Sequence, residues 1–178
     1  MSKITLVVAA DYDNLIGYDG GLVYTHQKAD MQHFIAITTG HTVVMGSTTY
    51  RTIGHPLKNR ENIILSKDVN NSEFQGCKVI TSIDEILKDE SNKEYMIIGG
   101  ASIYEQFFPY ASRILLTRIH VSQHYSKYYD NNPKFFPHIK LNDGWKTVDA
   151  RTYDADADND IEYAFVEYRR DKSHLKEV

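Results

Sequence analysis

The chain reads as an α/β protein with a three-layer fold. Its central sheet is mixed but mostly parallel, with about eight strands, four helices on both faces and a C-terminal antiparallel hairpin. Three observations predict this. Ile4 to Ala10 is a continuous apolar run, as a strand buried on both faces requires. Strand and helix signals then alternate through the first hundred residues, the mark of βαβ units. Near the end, Trp145 to Tyr153 and Ile161 to Arg169 read as a strand pair joined by Asp154 to Asp160. Residues 1–170 are expected to form one domain, with 171–178 a polar tail that frays.

After the first strand, Asp11 to Gln27 carries Gly17, Gly20 and Gly21 and reads as a long irregular loop. A loop of that length in a compact domain is more often a lid or binding loop than idle linker. A helix follows from about Ala29 to Thr38, stopped by Gly40, and then a buried strand from His41 to Met45. On that helix Met31, Phe34, Ile35 and Ile37 share one side, and Asp30 lies inside the same apolar arc. A carboxylate there is costly unless something bonds it. Asp30 is therefore either the helix N-cap or a binding-site acid, and the local sequence leaves both open.

Gly46-Ser-Thr-Thr-Tyr begins a second short helix to about Ile53, and Gly54 to Arg60 is a turn-rich connection. Asn62 to Ser66 is a short buried strand, Asn70 to Gly76 a polar loop and Lys78 to Ile80 another strand. Ser82-Ile-Asp-Glu85 fits a capping box that opens a third helix. Tyr95 to Tyr104 reads as strand, Gly-Gly turn, helix; Arg113 to Val121 alternates as a strand; Gln123 to Pro137 is an aromatic, irregular excursion.

Composition narrows the function classes. The formal charge is −4, which argues against a nucleic-acid surface and leaves small molecules open. No apolar run is long enough to span a membrane, and the first residues carry no signal-peptide pattern. Cys77 is the only cysteine, so no internal disulfide is possible and a reducing, cytoplasmic setting fits. No surface feature marks an interface, which leaves a monomer as the default.

Ligands on such sheets bind beyond the carboxyl ends of the strands. Two βα turns there suit phosphate, Gly46-Ser47-Thr48-Thr49 and Gly99-Gly100. Each is weak evidence alone; two on one sheet suggest a long ligand with several phosphates. Neither is a Walker loop. The alternating Asp154, Asp156, Asp158 and Asp160 have Asn159 and Phe165 where a calcium loop needs Gly and Glu, so this stretch reads as a solvated hairpin tip. His120 and His124 lack a third ligand at sensible spacing and read as sheet-surface histidines; no metal site is expected.

In order and spacing these segments resemble dihydrofolate reductase. The matching pieces are Val7-Val-Ala with Leu15-Ile-Gly, Asp30-Met-x-x-Phe34, Val44-Met-Gly, Thr49-Tyr-x-x-Ile-Gly-x-Pro-Leu57 with Arg60, Asn62-Ile-Ile-Leu-Ser66, Ile97-Ile-Gly-Gly-Ala-x-Ile-Tyr104 and Leu116-Thr117. Tyr153-Asp-Ala-Asp-Ala followed by Tyr163-Ala-Phe completes them. The resemblance implies a dihydrofolate-reductase-like fold and an enzyme in which NADPH passes a hydride to 7,8-dihydrofolate, giving tetrahydrofolate for thymidylate and one-carbon metabolism. It also implies dihydrofolate and antifolates such as methotrexate and trimethoprim as ligands, with neither nucleic acid nor membrane as a partner.

Residue by residue, the resemblance implies that Asp30 bonds the pterin amide edge with Thr117 in support, and that Leu22 and Tyr24 belong to the lid over the reacting centre. Met31, Phe34, Ile35, Ile53 and Leu57 would line the substrate, Arg60 would hold its glutamate carboxylate, and Val7, Val8, Ile98 and Tyr104 would border the pterin. For the cofactor it implies Ala9, Ile16 and Gly17 at the nicotinamide, then Gly46, Ser47, Thr48 and Thr49. Leu65, Ser66 and Lys67 would follow, and Ile98, Gly99, Gly100, Ala101, Ser102, Ile103 and Tyr104 would cradle the rest. The chain departs from the family pattern in having Val23-Tyr24 for the usual Pro-Trp. It also lacks the usual basic residues at Ser47, Thr48 and Ser102, leaving Lys67 as the best cation for a 2′-phosphate. The nearest rival keeps the fold and takes a pyrimidinone substrate; another is a binding domain without turnover.

Overall fold

In the computed structural model the described residues are 3–18, 21–24, 26–68, 72–121 and 132–177. Eleven strands and four α-helices are described. The main sheet has eight strands in the order β10-β11-β8-β1-β7-β4-β5-β6. These are β1 (Lys3–Ala10), β4 (Thr42–Gly46), β5 (Glu61–Leu65), β6 (Lys78–Ile80), β7 (Glu94–Gly99), β8 (Arg113–Ile119), β10 (Trp145–Tyr153) and β11 (Tyr163–Arg170). The neighbours from β8 to β6 are parallel; β11 runs antiparallel to both β8 and β10. The expected three-layer α/β fold is the one observed.

Strand parity builds the layers. Leu6, Val8, Val44, Ile63, Ile97, Ile114 and Leu116 point to one face, against Ile103, Tyr104 and Phe107 of α4 (Ala101–Phe107) and Ile86 and Leu87 of α3 (Asp84–Leu87). Val7, Val43, Met45, Ile64 and Met96 point to the other. There they meet Phe34 and Ile37 of α1 (Lys28–Thr38) and Tyr50 and Ile53 of α2 (Ser47–Ile53). Each fully buried aliphatic side chain contributes roughly 1.5–3 kcal/mol, so the two faces together dominate stability.

Several details differ from expectation. The 11–27 loop is not wholly irregular: β2 (Leu15–Tyr18) pairs with β3 (Gly21–Leu22) and with β9 (Lys134–Phe135) in a small second sheet. This gives part of the Gln123 to Pro137 excursion a structural role; its residues 123–131, with His124, lie outside the described residues. In the supposed polar loop before β6, a short 3₁₀ turn (Ser72–Phe74) buries Phe74 against Tyr50, with ring centroids 5.4 Å apart. The capping signal at 82–85 is realised one step displaced: the Asp84 amide donates to Ser82 Oγ and the Thr81 amide to Glu85 Oε1. The tail is tied down where a second 3₁₀ turn (Lys172–His174) packs near Gly144 and the Lys176 amide donates to the Pro109 carbonyl.

Candidate active site

The site lies where the chain reverses direction across the sheet. From β1 it crosses to β4 on one side, and from β7 to β8 on the other, so a crevice opens beyond the carboxyl ends of these strands. Val7, Ile98 and Thr117 share the face covered by α1, while α1 lies above with Asp30 in its first turn.

Asp30 is not the helix cap. The cap position is Gln27, and Asp30 is the third helical residue, half-buried, with the Thr117 hydroxyl hydrogen-bonded to its carboxylate. Burial pushes the Asp30 pKa up from its ordinary value, and the Thr117 bond pulls it partly back. Burial likewise holds the Tyr104 phenol well above the usual tyrosine range, and its hydroxyl donates to the Val7 carbonyl at 2.7 Å.

Apolar side chains of α1 and β3 are left open. Met31 is 53% exposed, Ile35 47% and Leu22 59%, whereas Phe34, Ile53 and Leu57 are partly buried against the second core cluster. An apolar helix face left bare on one side of a cleft fits a flat aromatic guest. At its far end Arg60 is already oriented: Nη1 donates to Thr38 Oγ1 at 2.8 Å, Nε to the Lys58 carbonyl at 3.0 Å, and the guanidinium lies 5.8 Å from the Phe34 ring centroid. The remaining N–H groups give it a fork for a carboxylate. Val8 departs from the substrate set in one respect: its side chain lies on the α4 face, in the other core cluster.

Along the cofactor strip, α2 and α4 start on adjacent strands, β4 and β7, at Gly46 and Gly100, and neither start carries a side-chain cap hydrogen bond. A Cβ on Gly46 would come within 3.0 Å of Ile103, and one on Gly100 within 3.3 Å of the Thr49 hydroxyl. Gly99 has φ +114° and the Tyr104 ring 3.1 Å from a Cβ position, so only glycine suits it. Two uncapped helix starts offering amide N–H groups side by side fit a dinucleotide pyrophosphate. Ala9 and Ile16 flank this strip, with Ile16 and Ile103 buried, and Gly17 allows the close β2–β3 approach, since a Cβ would meet the Gly21 carbonyl at 2.7 Å. Leu65, the last residue of β5, is partly buried; beyond it Ser66 Oγ accepts the Asp68 amide at 3.1 Å, and Lys67 is exposed. Ser47, Thr48, Ala101 and Ser102 occupy the first turns of the two helices.

Three residues escaped sequence reasoning. Asp11 is fully buried; its carboxylate accepts the Asp13 and Leu15 amides, each at 2.9 Å, and the Tyr24 hydroxyl at 2.7 Å. Gln27 and Asn159 are also buried and join α1 to the 154–160 turn. That turn is therefore no purely solvated tip, although its four aspartates are exposed. No local spacing signals the contacts between α1 and this turn, because Gln27 meets Ile161 134 residues on and Asn159 meets Ala29 130 residues back. His120 stacks on Tyr12 and bonds Glu162, and among the described residues no cluster of metal-ligating side chains occurs.

Comparison with known proteins fits this geometry. The family model described as dihydrofolate reductase matches residues 3–170. A dihydrofolate reductase of Bacillus subtilis (strain 168) is 35% identical over 175 residues, covering 96% of each chain. Dihydrofolate reductase type 3 of Salmonella typhimurium is 36% identical over 170 residues, covering 95% of this chain and 99% of its own. Among solved structures, dihydrofolate reductase from Enterococcus faecalis complexed with NADP(H) and RAB-propyl superposes with a TM-score of 0.83 at 26% identity, covering 96% of this chain and 97% of that one. The chain belongs to the dihydrofolate reductase family.

Proposed function

We infer that this chain reduces 7,8-dihydrofolate to 5,6,7,8-tetrahydrofolate with NADPH, and that Asp30 and Thr117 orient the substrate. The observation that carries the reading is a half-buried carboxylate held by one hydroxyl, on a helix that leaves the apolar Met31 and Ile35 exposed. A pterin edge supplies the two N–H donors such a carboxylate needs.

NADPH supplies the hydride. The chain does the placing: Met31, Phe34, Ile35, Ile53 and Leu57 hold the substrate rings, Arg60 holds the far carboxylate, and the backbone of Val7 and Ile98 borders the pterin. Asp30 lies too far along the ring edge to attack the reacting carbon. It polarises the ring, and water delivers the proton to N5. Leu22 and Tyr24 close over the centre and limit water access. The starts of α2 and α4 hold the pyrophosphate, and Lys67 favours a 2′-phosphate over a free ribose hydroxyl. No described helix is long and apolar enough to cross a membrane. A monomer acting in the cytoplasm is the setting consistent with a lone half-buried cysteine.

The test is NADPH oxidation in the presence of dihydrofolate, followed optically, with and without methotrexate, then repeated with NADH. Methotrexate-sensitive turnover supports the reading. Tight methotrexate binding without turnover would make the chain a binding module, and neither binding nor turnover would move it to a pyrimidinone substrate.

A further inference from the structure

We propose that Asn159 is a positioning residue for this reaction: its side chain caps helix α1 from the far end of the chain and so sets Asp30 against Thr117. The proposal rests on the reading that Asp30 orients dihydrofolate.

Helix α1 begins without a local cap. Gln27, at the cap position, turns its side chain away: Nε2 donates to the Ile161 carbonyl at 2.8 Å, and Oε1 accepts the Ile161 amide at 3.4 Å. The orphan amides of the first turn are met instead by the β10–β11 turn. The Lys28 amide donates to the Asp158 carbonyl at 3.1 Å, and the Ala29 amide to Asn159 Oδ1 at 2.9 Å. Asn159 is itself oriented, because Nδ2 donates to Asp156 Oδ1 at 2.8 Å. Buried to 4% exposure, its amide has no alternative partner in water.

The next residue along the helix is Asp30. Its own face holds the helix loosely, with Thr38 the buried residue and Met31 and Ile35 exposed. One turn on, His33 stacks on Phe165 at 4.0 Å, and Phe165 is the register partner of Thr117 on the adjoining strand. Thus one β11 residue, Phe165, both stacks on α1 and pairs with the residue bonded to Asp30. Asp30 is bracketed between the Asn159 cap and the Phe165 stack.

Without the cap, the first turn frays, the carboxylate moves off the Thr117 hydroxyl, and ring placement suffers more than cofactor binding. The charged and titratable groups around this turn are Lys28 with Asp158, His26 with Asp160, Asp156 bonded to Asn159 itself, His33 and the Tyr104 phenol. Of these, a substitution at 159 disturbs only Asp156, which its neighbours hold below the ordinary carboxylate range, so a moved midpoint of hydride transfer reports on Asp30.

The experiment measures single-turnover hydride transfer against pH, the dihydrofolate KM, the NADPH Kd and Ala29 amide exchange. It compares the wild type with Asn159→Ala and with the swap Asn159→Asp/Asp156→Asn. In the swap the carboxylate at 159 still accepts the Ala29 amide and the amide at 156 donates back. Asn159→Ala should slow hydride transfer or raise KM by about fivefold, the size of a lost cap. It should also move the pH midpoint and leave the NADPH Kd within about twofold. The swap should restore most of the loss. Wild-type rate, KM and midpoint in Asn159→Ala, even with a lower Tm, would overturn the proposal, as would an equal loss of NADPH affinity. If Asn159→Ala does not fold, Asp156→Ala decides: it unties the Asn159 side chain from an exposed position, and unchanged kinetics there would overturn the proposal too. Asp30→Asn is run in parallel, and wild-type turnover in that variant would sink the Asp30 reading itself, whatever position 159 does.

Discussion

The Thr117 hydroxyl is bonded to the Asp30 carboxylate across the gap between β8 and α1, and burial nevertheless leaves the acid easier to protonate than in water. Two consequences follow for Asp30→Asn. Turnover at neutral pH should fall by about a hundredfold, because a preorganised charge facing the ring edge is removed. Stability should move the other way. A carboxyl whose folded pKa lies above its ordinary 3.8 gives its full stabilisation below 3.8 and loses it as pH rises through the folded value. At neutral pH the wild type therefore carries the cost of a half-buried ionised acid, and Asp30→Asn should melt higher than wild type there but not below pH 3.8. Melting curves at both ends of that range check the sign.

Arg60 is held before any ligand arrives, by Thr38 Oγ1, the Lys58 carbonyl and the Phe34 ring. Preorganisation lowers the entropy lost on binding a carboxylate. Arg60→Leu should weaken dihydrofolate by about tenfold to a hundredfold, the range for a charge-assisted hydrogen-bonded pair, with NADPH affinity unchanged. Thr38→Val keeps the charge and removes its anchor, so it should show the same selectivity at smaller size. Titrating each ligand separately tests both; equal loss of both ligands would detach Arg60 from the substrate.

Most of the fold and part of the site were legible because their signals are local. The Ile4 to Ala10 run, the Gly-Gly turn before α4 and Asp30 on an apolar helix arc each announce themselves within a few residues. The small sheet formed by β2, β3 and β9 did not, since strands of two to four residues have no periodicity to read. Asn159 and Asp11 were missed for a different reason. Polar residues in Asp-rich or Gly-rich turns look solvated, and only the folded backbone brings their side chains onto amides, two and four residues on for Asp11 and 130 residues away for Asn159. Val8 shows the limit of reading motifs as blocks: it stands beside Val7, but strand alternation sends its side chain to the opposite layer.

Lys67 sits just past β5, exposed at the edge of the cofactor strip, in a chain whose other candidate cofactor positions carry Ser47, Thr48 and Ser102. An exposed lysine facing a phosphate gains little after screening, so Lys67→Ala should cut the NADPH-over-NADH preference by about fivefold at most. The effect should shrink as salt rises. A preference that survives unchanged would mean that backbone amides and hydroxyls select the 2′-phosphate.

Tyr24 lies in the expected lid segment, and its hydroxyl donates to Asp11 Oδ2 at 2.7 Å. The other carboxylate oxygen holds the Asp13 and Leu15 amides, and the Asp11 carbonyl accepts from Arg118. Asp11 therefore closes the β1–β2 turn and tethers the lid with one side chain. Tyr24→Phe keeps the ring and removes a single donor from a fully buried carboxylate. The expected loss is about 1–3 kcal/mol, the cost of an unmet buried acceptor. Because β2 begins at Leu15, the Leu15 amide should exchange faster, and the dihydrofolate KM should rise as the lid loosens. Chemistry measured at saturating substrate should change less than KM, since the substitution keeps the ring and removes only the tether. A fall in the saturated hydride-transfer rate with KM unchanged would instead assign the Tyr24 hydroxyl to the reacting centre rather than to the tether.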